Sequence, residues 1–266
     1  MTFKQIAELI GDKTWLRTLA YRVIHLTTLR EWYIRRTLKT LLHGKKIFSF
    51  LDAGTGLGQH AVYVAKRFPH ADVLGVEADA ALIKSNMRYA VKSNIDNLVF
   101  KQADLSALTA SQQFDVILCA SVLEHIAEDE KILHSFQTAL HKNGYLVIYV
   151  PVSEQRVLRC LGRKINKMAQ ASSTGLPHGH VRYYSVNELT GKLTNAGFKI
   201  MNIIIACGFF GRLSYDIVTS VQYSRLFKVI FPFYLLLVHP FVLLLMWIDY
   251  RSTNINGNGL LVIAQK

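Results

Sequence analysis

The chain has 266 residues, of which 51% are hydrophobic and only 5 are prolines, a size that fits one large α/β domain with an insertion and leaves too little for two full domains. Lys plus Arg number 31 against 18 Asp plus Glu, a formal net charge of +13; such a surface attracts nucleic acid or acidic lipid headgroups, although a basic surface also serves solubility alone. Cys119, Cys160 and Cys207 form no cluster of metal spacing, and MTFKQIAELIGDK lacks the unbroken apolar run of a secretory signal, so the composition points away from a zinc module or secreted scaffold and toward the cytosolic side.

From Phe3 to Leu42 apolar residues recur at helical spacing (Ile6, Leu9, Ile10; Leu16, Leu19, Val23; Trp32, Tyr33, Leu38), which predicts a helical preface. Arg17, Arg22, Arg30, Arg35, Arg36 and Lys39 fall on its polar faces and read as solvated. Short Val/Ile/Phe-rich runs then alternate with helical stretches, the rhythm of βαβ units. Strands are predicted at Ile47 to Asp52, Val73 to Glu77, Leu98 to Lys101, Phe114 to Cys119, Tyr145 to Val150, Phe198 to Ile205 and Leu260 to Ala264. Helices are predicted at Gly58 to Phe68, Ala80 to Ser93, Glu128 to Leu140 and Ser185 to Ala196, with Asn143-Gly144 as a turn and Ser185 and Glu188 spaced as a capping box.

The first strand ends on Asp52-Ala53-Gly54-Thr55-Gly56-Leu57-Gly58. Glycine at every second position lets the backbone turn tightly and approach a ligand at the start of a helix, where an anion is favoured. A dinucleotide loop wants its third glycine where Gln59 stands, which weighs against that cofactor class. Glu77 ends the second strand, where a carboxylate reaches ribose hydroxyls, and Asp104 follows the third, where it can accept from an exocyclic adenine amine.

Together these residues resemble the class I S-adenosylmethionine-dependent methyltransferases, of the small-molecule and lipid-modifying branch. LDAGTGLGQ, GVEAD, KQADL and FDVILCASVLEHI are similar to the family's first four motifs, in order, and GYLVIYVP to the strand that follows. The resemblance implies a seven-stranded, mostly parallel, doubly wound α/β sheet with N-terminal helices and an apolar helical insertion before the last strand. It implies S-adenosylmethionine as cofactor, held by Asp52, Gly54, Thr55, Gly56 and Gly58, by Glu77 and Ala78, by Ala103, Asp104 and Leu105, and by Ser121, with Trp32 and Arg36 on a helix that covers it. The expected divisions are 1–46 as helical cap, 47–206 as cofactor-binding core, 207–258 as apolar insertion and 259–266 as the final strand.

Methyl transfer needs a protein base only where the acceptor carries a proton. His125, in Leu123-Glu124-His125, and His178, His180, Tyr183 and Tyr184, in LPHGHVRYYS, are the candidates, histidine being the residue type that titrates near neutrality; a structural hydrogen bond is the plain alternative for each. We take His125, His180 and Tyr183 as the catalytic set. Related quinone O-methyltransferases that bind a metal carry extra acids beside the Glu-His pair, where this chain has Ser121 and Val122; no catalytic metal is expected.

Ile230 to Ile248 is a 19-residue run without Asp, Glu, Lys or Arg, long enough to nominate a membrane span. Two strands of one sheet flank it, so a single crossing is excluded, and Pro240 divides it into halves of about ten residues, roughly 15 Å of helix, against a bilayer core of about 30 Å. A bent or re-entrant element in the interface is expected, flanked by Arg225, Lys228 and Arg251 with Trp247 and Tyr250 at headgroup level; a buried helical pair or dimer interface is the alternative. The partners implied are a hydrophobic small-molecule or lipid substrate and an anionic membrane surface, with peripheral or monotopic attachment. Ala120-Ser121-Val122-Leu123 stands where base-methylating enzymes carry Asn/Asp-Pro-Pro-aromatic, which argues against nucleic-acid bases; RNA ribose, protein targets and a non-catalytic cofactor-binding protein stay open as alternatives.

Overall fold

The computed structural model describes residues 10–11, 13–108, 113–152, 157, 179–222 and 233–266. Two helices, α1 (Thr14–Thr27) and α2 (Leu29–Leu41), precede β1 (Ser49–Ala53), α3 (Gln59–Arg67), β2 (Asp72–Glu77), α4 (Ala80–Lys92), β3 (Leu98–Gln102) and β4 (Phe114–Ala120). Then come α5 (Asp129–Ala139), β5 (Leu140–Pro151), α6 (Val186–Asn195), β6 (Lys199–Ala206), α7 (Phe209–Gln222), α8 (His239–Arg251) and β7 (Gly259–Gln265). The strands form one sheet in the order β3-β2-β1-β4-β5-β7-β6, with β7 antiparallel to both neighbours.

Because the parallel strands are covered on both faces, they read as near-continuous apolar runs. One face packs Tyr33, Ile34, Leu38, Val64, Ile83 and Tyr89 of α2, α3 and α4 with Val242 and Met246 of α8. The other packs Ile132, Leu133 and Phe136 of α5 with Leu189 and Leu193 of α6. α6 starts as expected, with the Ser185 hydroxyl accepting from the Glu188 N–H at 3.1 Å.

Three local expectations are corrected. Asn143-Gly144 is not a turn before β5 but lies within it: Leu140 pairs with Phe114 and Tyr145 with Val116, so the pairing shifts register there, and Asn143 adopts φ 64°. Arg17 is not solvated but 2% exposed. The apolar segment is not split at Pro240: Tyr234–Val238 forms a π-helical turn that runs directly into α8, with the proline in the first turn of that helix, where a missing N–H is tolerated. His178, Cys160, Arg225, Lys228 and most of the Gly162 to His180 loop lie outside the described residues.

Tyr234–Arg251 is therefore a helix long and apolar enough to cross a membrane by length and composition, one third of it buried in the protein. Its buried face carries His239, Val242, Leu245, Met246 and Asp249, and its other face leaves Leu236 and Leu237 75% and 70% exposed, with Phe241, Leu244 and Trp247 also exposed. Ala206 at the end of β6 pairs with Gly259 at the start of β7, so the insertion leaves and returns at one sheet edge.

Candidate active site

The predicted cofactor residues of the core, from Asp52 to Ser121, fall at the carboxyl edge of β1 to β4, where the order of the strands reverses and open α/β sheets bind ligands. The β1 loop folds back on β2, the Val76 carbonyl accepting from the Gly54 and Thr55 N–H groups at 2.9 and 2.8 Å. Gly54, Gly56 and Gly58 all have positive φ. At Gly54 the need is double, since a Cβ there would also collide with the Val122 side chain.

Asp52, 1% exposed, lies beneath this loop and accepts from the Thr55 hydroxyl at 2.6 Å and the Ala61 N–H at 3.1 Å. Burial raises its pKa, against the opposing pull of His60 and these hydrogen bonds. Glu77 reaches across to the loop, one carboxylate oxygen accepting from the Gly56 N–H at 3.0 Å and the other from the Ala78 N–H at 2.9 Å. Asp104 is exposed and caps the turn Leu105–Ala107 through the Ser106 N–H at 2.9 Å, an interaction that lowers its pKa. Leu105 is buried and Ala103 partly so.

Ser121 closes the group after β4 with φ 57°, its N–H donating to the Tyr149 carbonyl at 2.8 Å. Such a conformation in a non-glycine residue is held by its surroundings, and here the Arg30 guanidinium donates to the Ser121 hydroxyl at 2.9 Å. Beside Arg30, Glu31 is fully buried, 3.5 Å from both Arg30 and His60 Nε2. Burial pushes the Glu31 carboxyl up, but His60, Arg30, Arg35 and His25 together outweigh it and hold the pKa below its ordinary value.

Trp32 and Arg36 are placed elsewhere. Trp32 Nε1 donates to the His25 carbonyl and its ring meets Tyr250 edge-on at 5.8 Å, while the Arg36 guanidinium lies 5.2 Å over the Tyr250 ring. They brace α2 against α8. Two other arginines of the helical preface reach the loop region: Arg30, which donates to Ser121, and Arg17, which donates to the Leu57 carbonyl of the glycine loop at 2.8 Å and to Ser85 and Asn86 of α4.

The histidine group assembles one turn further on. Val181 N–H donates to the Glu124 carbonyl at 2.7 Å, and Asp129 gathers Arg182 (2.8 Å), Lys192 (3.0 Å) and the Tyr184 hydroxyl (2.6 Å). This pins the 180–184 segment against 123–129. The His125 and His180 rings lie 4.9 Å apart, and His180 and Tyr183 meet edge-on at 5.4 Å. Glu124 is 1% exposed with one carboxylate oxygen unpaired, and burial pushes its pKa up to about 7 against the pull of its own backbone N–H and Arg30. One ligand atom from each of Glu124, His125 and His180 falls within 4.8 Å of the others, so the group has the shape of a proton-handling site and also of a three-ligand cation site.

A seven-stranded sheet of this order, with a glycine loop after β1 and acidic acceptors after β2 and β3, defines a class I S-adenosylmethionine-dependent methyltransferase. Residues 45–204 match the family model described as "Methyltransferase domain", and the chain belongs to that family. It is 25% identical over 208 residues to the ubiquinone biosynthesis O-methyltransferase of Acinetobacter baumannii (strain AYE), spanning 73% of this chain and 80% of that protein. Among solved structures it is similar to coclaurine N-methyltransferase bound to N-methylheliamine and SAH (TM-score 0.58, 17% identity, 88% and 72% of the two chains). It is likewise similar to the Haemonchus contortus phosphoethanolamine N-methyltransferase 2 complex with S-adenosyl-L-methionine (TM-score 0.57, 17% identity, 88% and 52%). The chain is an S-adenosylmethionine-dependent methyltransferase, and its own residues fit that cofactor: a loop after β1 turned by three positive-φ glycines, with carboxylates arrayed at successive strand ends.

Proposed function

We propose that the enzyme O-methylates a hydrophobic small-molecule or lipid-linked acceptor at an anionic membrane surface on the cytoplasmic side. The observation that carries this reading is the uncovered apolar face of α8 on an insertion that leaves and returns at the ligand-binding edge of the sheet. An acceptor drawn from a bilayer would reach that edge without crossing water. Relatives named for ubiquinone biosynthesis O-methylation support oxygen as the nucleophile and an apolar acceptor.

The bound cofactor supplies an electrophilic methyl group on a sulfonium. Asp52 and the 54–58 loop would hold its methionine portion, with Ser121 alongside and Arg30 fixing that turn; Glu77 and Ala78 would hold the ribose; Ala103, Asp104 and Leu105 would hold the adenine. Asp52 would also organise the loop, its Oδ2 accepting from the Thr55 hydroxyl and the Ala61 N–H. His125 or His180 would accept the proton of the acceptor hydroxyl, with Tyr183 setting the ring of His180, and positioning would supply much of the remaining rate. No metal is required by this scheme. Residues 1–46 act as the cap over the loop and 207–258 as the acceptor-side element.

The test is transfer of labelled methyl from S-adenosylmethionine to prenylated phenols, water-soluble phenols, RNA and protein offered in parallel. Label entering the prenylated phenols at the highest kcat/KM is the expected result; label confined to RNA or protein overturns the acceptor assignment.

A further inference from the structure

Two helix faces that look at each other across α1 and α3 do not pack. Thr18, Tyr21, Arg22, His25 and Leu26 form one stripe of α1, and Gln59, Val62, Tyr63, Lys66 and Arg67 form one stripe of α3, each at the i, i+3, i+4, i+7, i+8 spacing of a single helix face. Between them, bordered by Arg35 and Tyr89, lies an open groove of about 470 Å³ whose rim residues Arg22, Leu26, Lys66 and Arg67 are exposed. Facing helices ordinarily interdigitate at crystal-like density, and this volume falls in the range of small-molecule sites.

Its lining sorts by chemistry. The apolar part is Leu26, Val62 and the tyrosine rings of 21, 63 and 89, and the cationic part is Arg22, Arg35, Lys66 and Arg67, with no Asp or Glu among the lining residues. The Arg35 guanidinium is stacked 4.7 Å over Tyr63, yet its Nε has no hydrogen-bond partner, and neither has His25 Nδ1. Buried Glu31 lies behind Arg35 and His25 and offsets part of their charge, but Arg22, Lys66 and Arg67 face the groove with no carboxylate on its lining; cations so gathered around an apolar floor call for an anion that carries an apolar portion.

A second observation says where that anion comes from. Trp15, Leu19, Val23 and Leu26 are all exposed and lie at i, i+4, i+8 and i+11 along α1, a continuous apolar row ending in a residue that also lines the groove. Such a row beside basic residues is what an interfacial helix presents to a bilayer. We propose that the groove between α1 and α3 binds one anionic phospholipid, its phosphate held by Arg22, Arg35, Lys66 and Arg67 and the first part of its chains lying along Leu26, Val62 and Tyr63.

The site adjoins the glycine loop at one end, where the Tyr21 hydroxyl donates to the Leu57 carbonyl at 2.6 Å and Gln59 follows Gly58, and its cations Lys66 and Arg67 lie two turns further along α3; it does not depend on which acceptor is methylated, and monomeric lipid tests it without bilayer or turnover. The full chain is titrated calorimetrically with dihexanoyl phosphatidylglycerol below its micelle concentration, with dihexanoyl phosphatidylcholine, with glycerol 3-phosphate and with hexanoate. Saturable one-to-one binding of phosphatidylglycerol is expected, at least tenfold tighter than any of the others. It should weaken at least tenfold in the exposed pair Lys66→Glu/Arg67→Glu and stay unchanged in Lys45→Glu/Lys46→Glu, which alters net charge equally away from the groove. S-adenosylmethionine binding by both variants verifies that they fold. Equal binding of phosphatidylcholine or an equal loss in the control pair overturns the site, and hexanoate binding as tightly as phosphatidylglycerol overturns phospholipid as its occupant.

Discussion

Arg30 and Ser121 lie 91 residues apart in sequence and meet through a hydrogen bond of 2.9 Å, which joins the second helix of the cap to the one residue after β4 held at φ 57°. A hydrogen bond to a charged donor contributes about 1.5–3 kcal/mol, and here it acts on a turn whose backbone conformation is unfavourable by itself. Arg30→Met should therefore raise the dissociation constant for S-adenosylmethionine about tenfold or more while leaving the acceptor KM nearly unchanged. Calorimetry alongside steady-state kinetics measures both, and an unaltered cofactor affinity would remove Arg30 from the site.

The glycine cradle makes a sharper demand. Gly54 has φ +76° and a Cβ on it would strike Val122, so Gly54→Ala meets two penalties that can be separated. Pairing it with Val122→Ala relieves the collision but leaves the left-handed strain of about 1–2 kcal/mol. Thermal unfolding should rank wild type above the double variant and the double variant above Gly54→Ala; equal stability of the two variants would show that the collision is relieved elsewhere.

Glu124 sets a pH dependence with a definite sign. Its pKa is raised from 4.5 to about 7 by burial, so between those values the folded chain binds more protons than the unfolded one, and stability falls as pH rises. Its contribution is fully present below about pH 4.5 and is lost through pH 7, with an upper bound of about 3 kcal/mol. Glu124→Gln should flatten the stability profile between pH 5 and 8 and gain stability relative to wild type at the upper end. Denaturant unfolding at each pH reads this, and parallel profiles for the two proteins would refute it.

The histidines and Glu124 allow a test of base against cation. With the imidazoles as bases, His125→Ala/His180→Ala should lower kcat by about 10²-fold or more with cofactor affinity intact, and a chelator should leave the wild-type rate unchanged. A rate abolished by the chelator and restored by a divalent cation would instead make Glu124, His125 and His180 a ligand set. Undiminished turnover of the double variant would remove both histidines from the chemistry.

The strand ends were legible because they obey local rules: Asp52, Glu77 and Asp104 each close an apolar run at βαβ spacing, and the structure puts all three on one edge. Arg17 was not legible, because its burial is decided by the Leu57 carbonyl and by Ser85 and Asn86, and no helical period records partners so distant in the chain. Arg30 and Arg36 lie under two turns apart on α2, and only the packed phase of that helix decides which meets Ser121 and which meets Tyr250. Pro240 misled for a related reason: its effect on a helix depends on whether it falls inside or at the start of a regular segment, and the π turn before it changed that.

The exposed face of the continuous helix Tyr234–Arg251 gives the last prediction. Deleting the insertion would be uninformative, because Asp249 bonds the Tyr33 hydroxyl at 2.9 Å and the Gly211 N–H at 2.8 Å, while Val242 and Met246 fill the core. Leu236, Leu237 and Phe241 point away from that packing, so Leu236→Ser/Leu237→Ser/Phe241→Ser should fold and bind cofactor normally. Each large apolar side chain moved fully from water contributes about 1.5–3 kcal/mol; with partial insertion the triple variant should lose about a hundredfold in partition to phosphatidylglycerol vesicles. The wild type should bind anionic vesicles more strongly than neutral ones and release them as salt rises, since the +13 charge acts through a screened field. Equal vesicle sedimentation of wild type and triple variant would show that this face is covered by protein rather than lipid, and the acceptor would then reach the active site from solution.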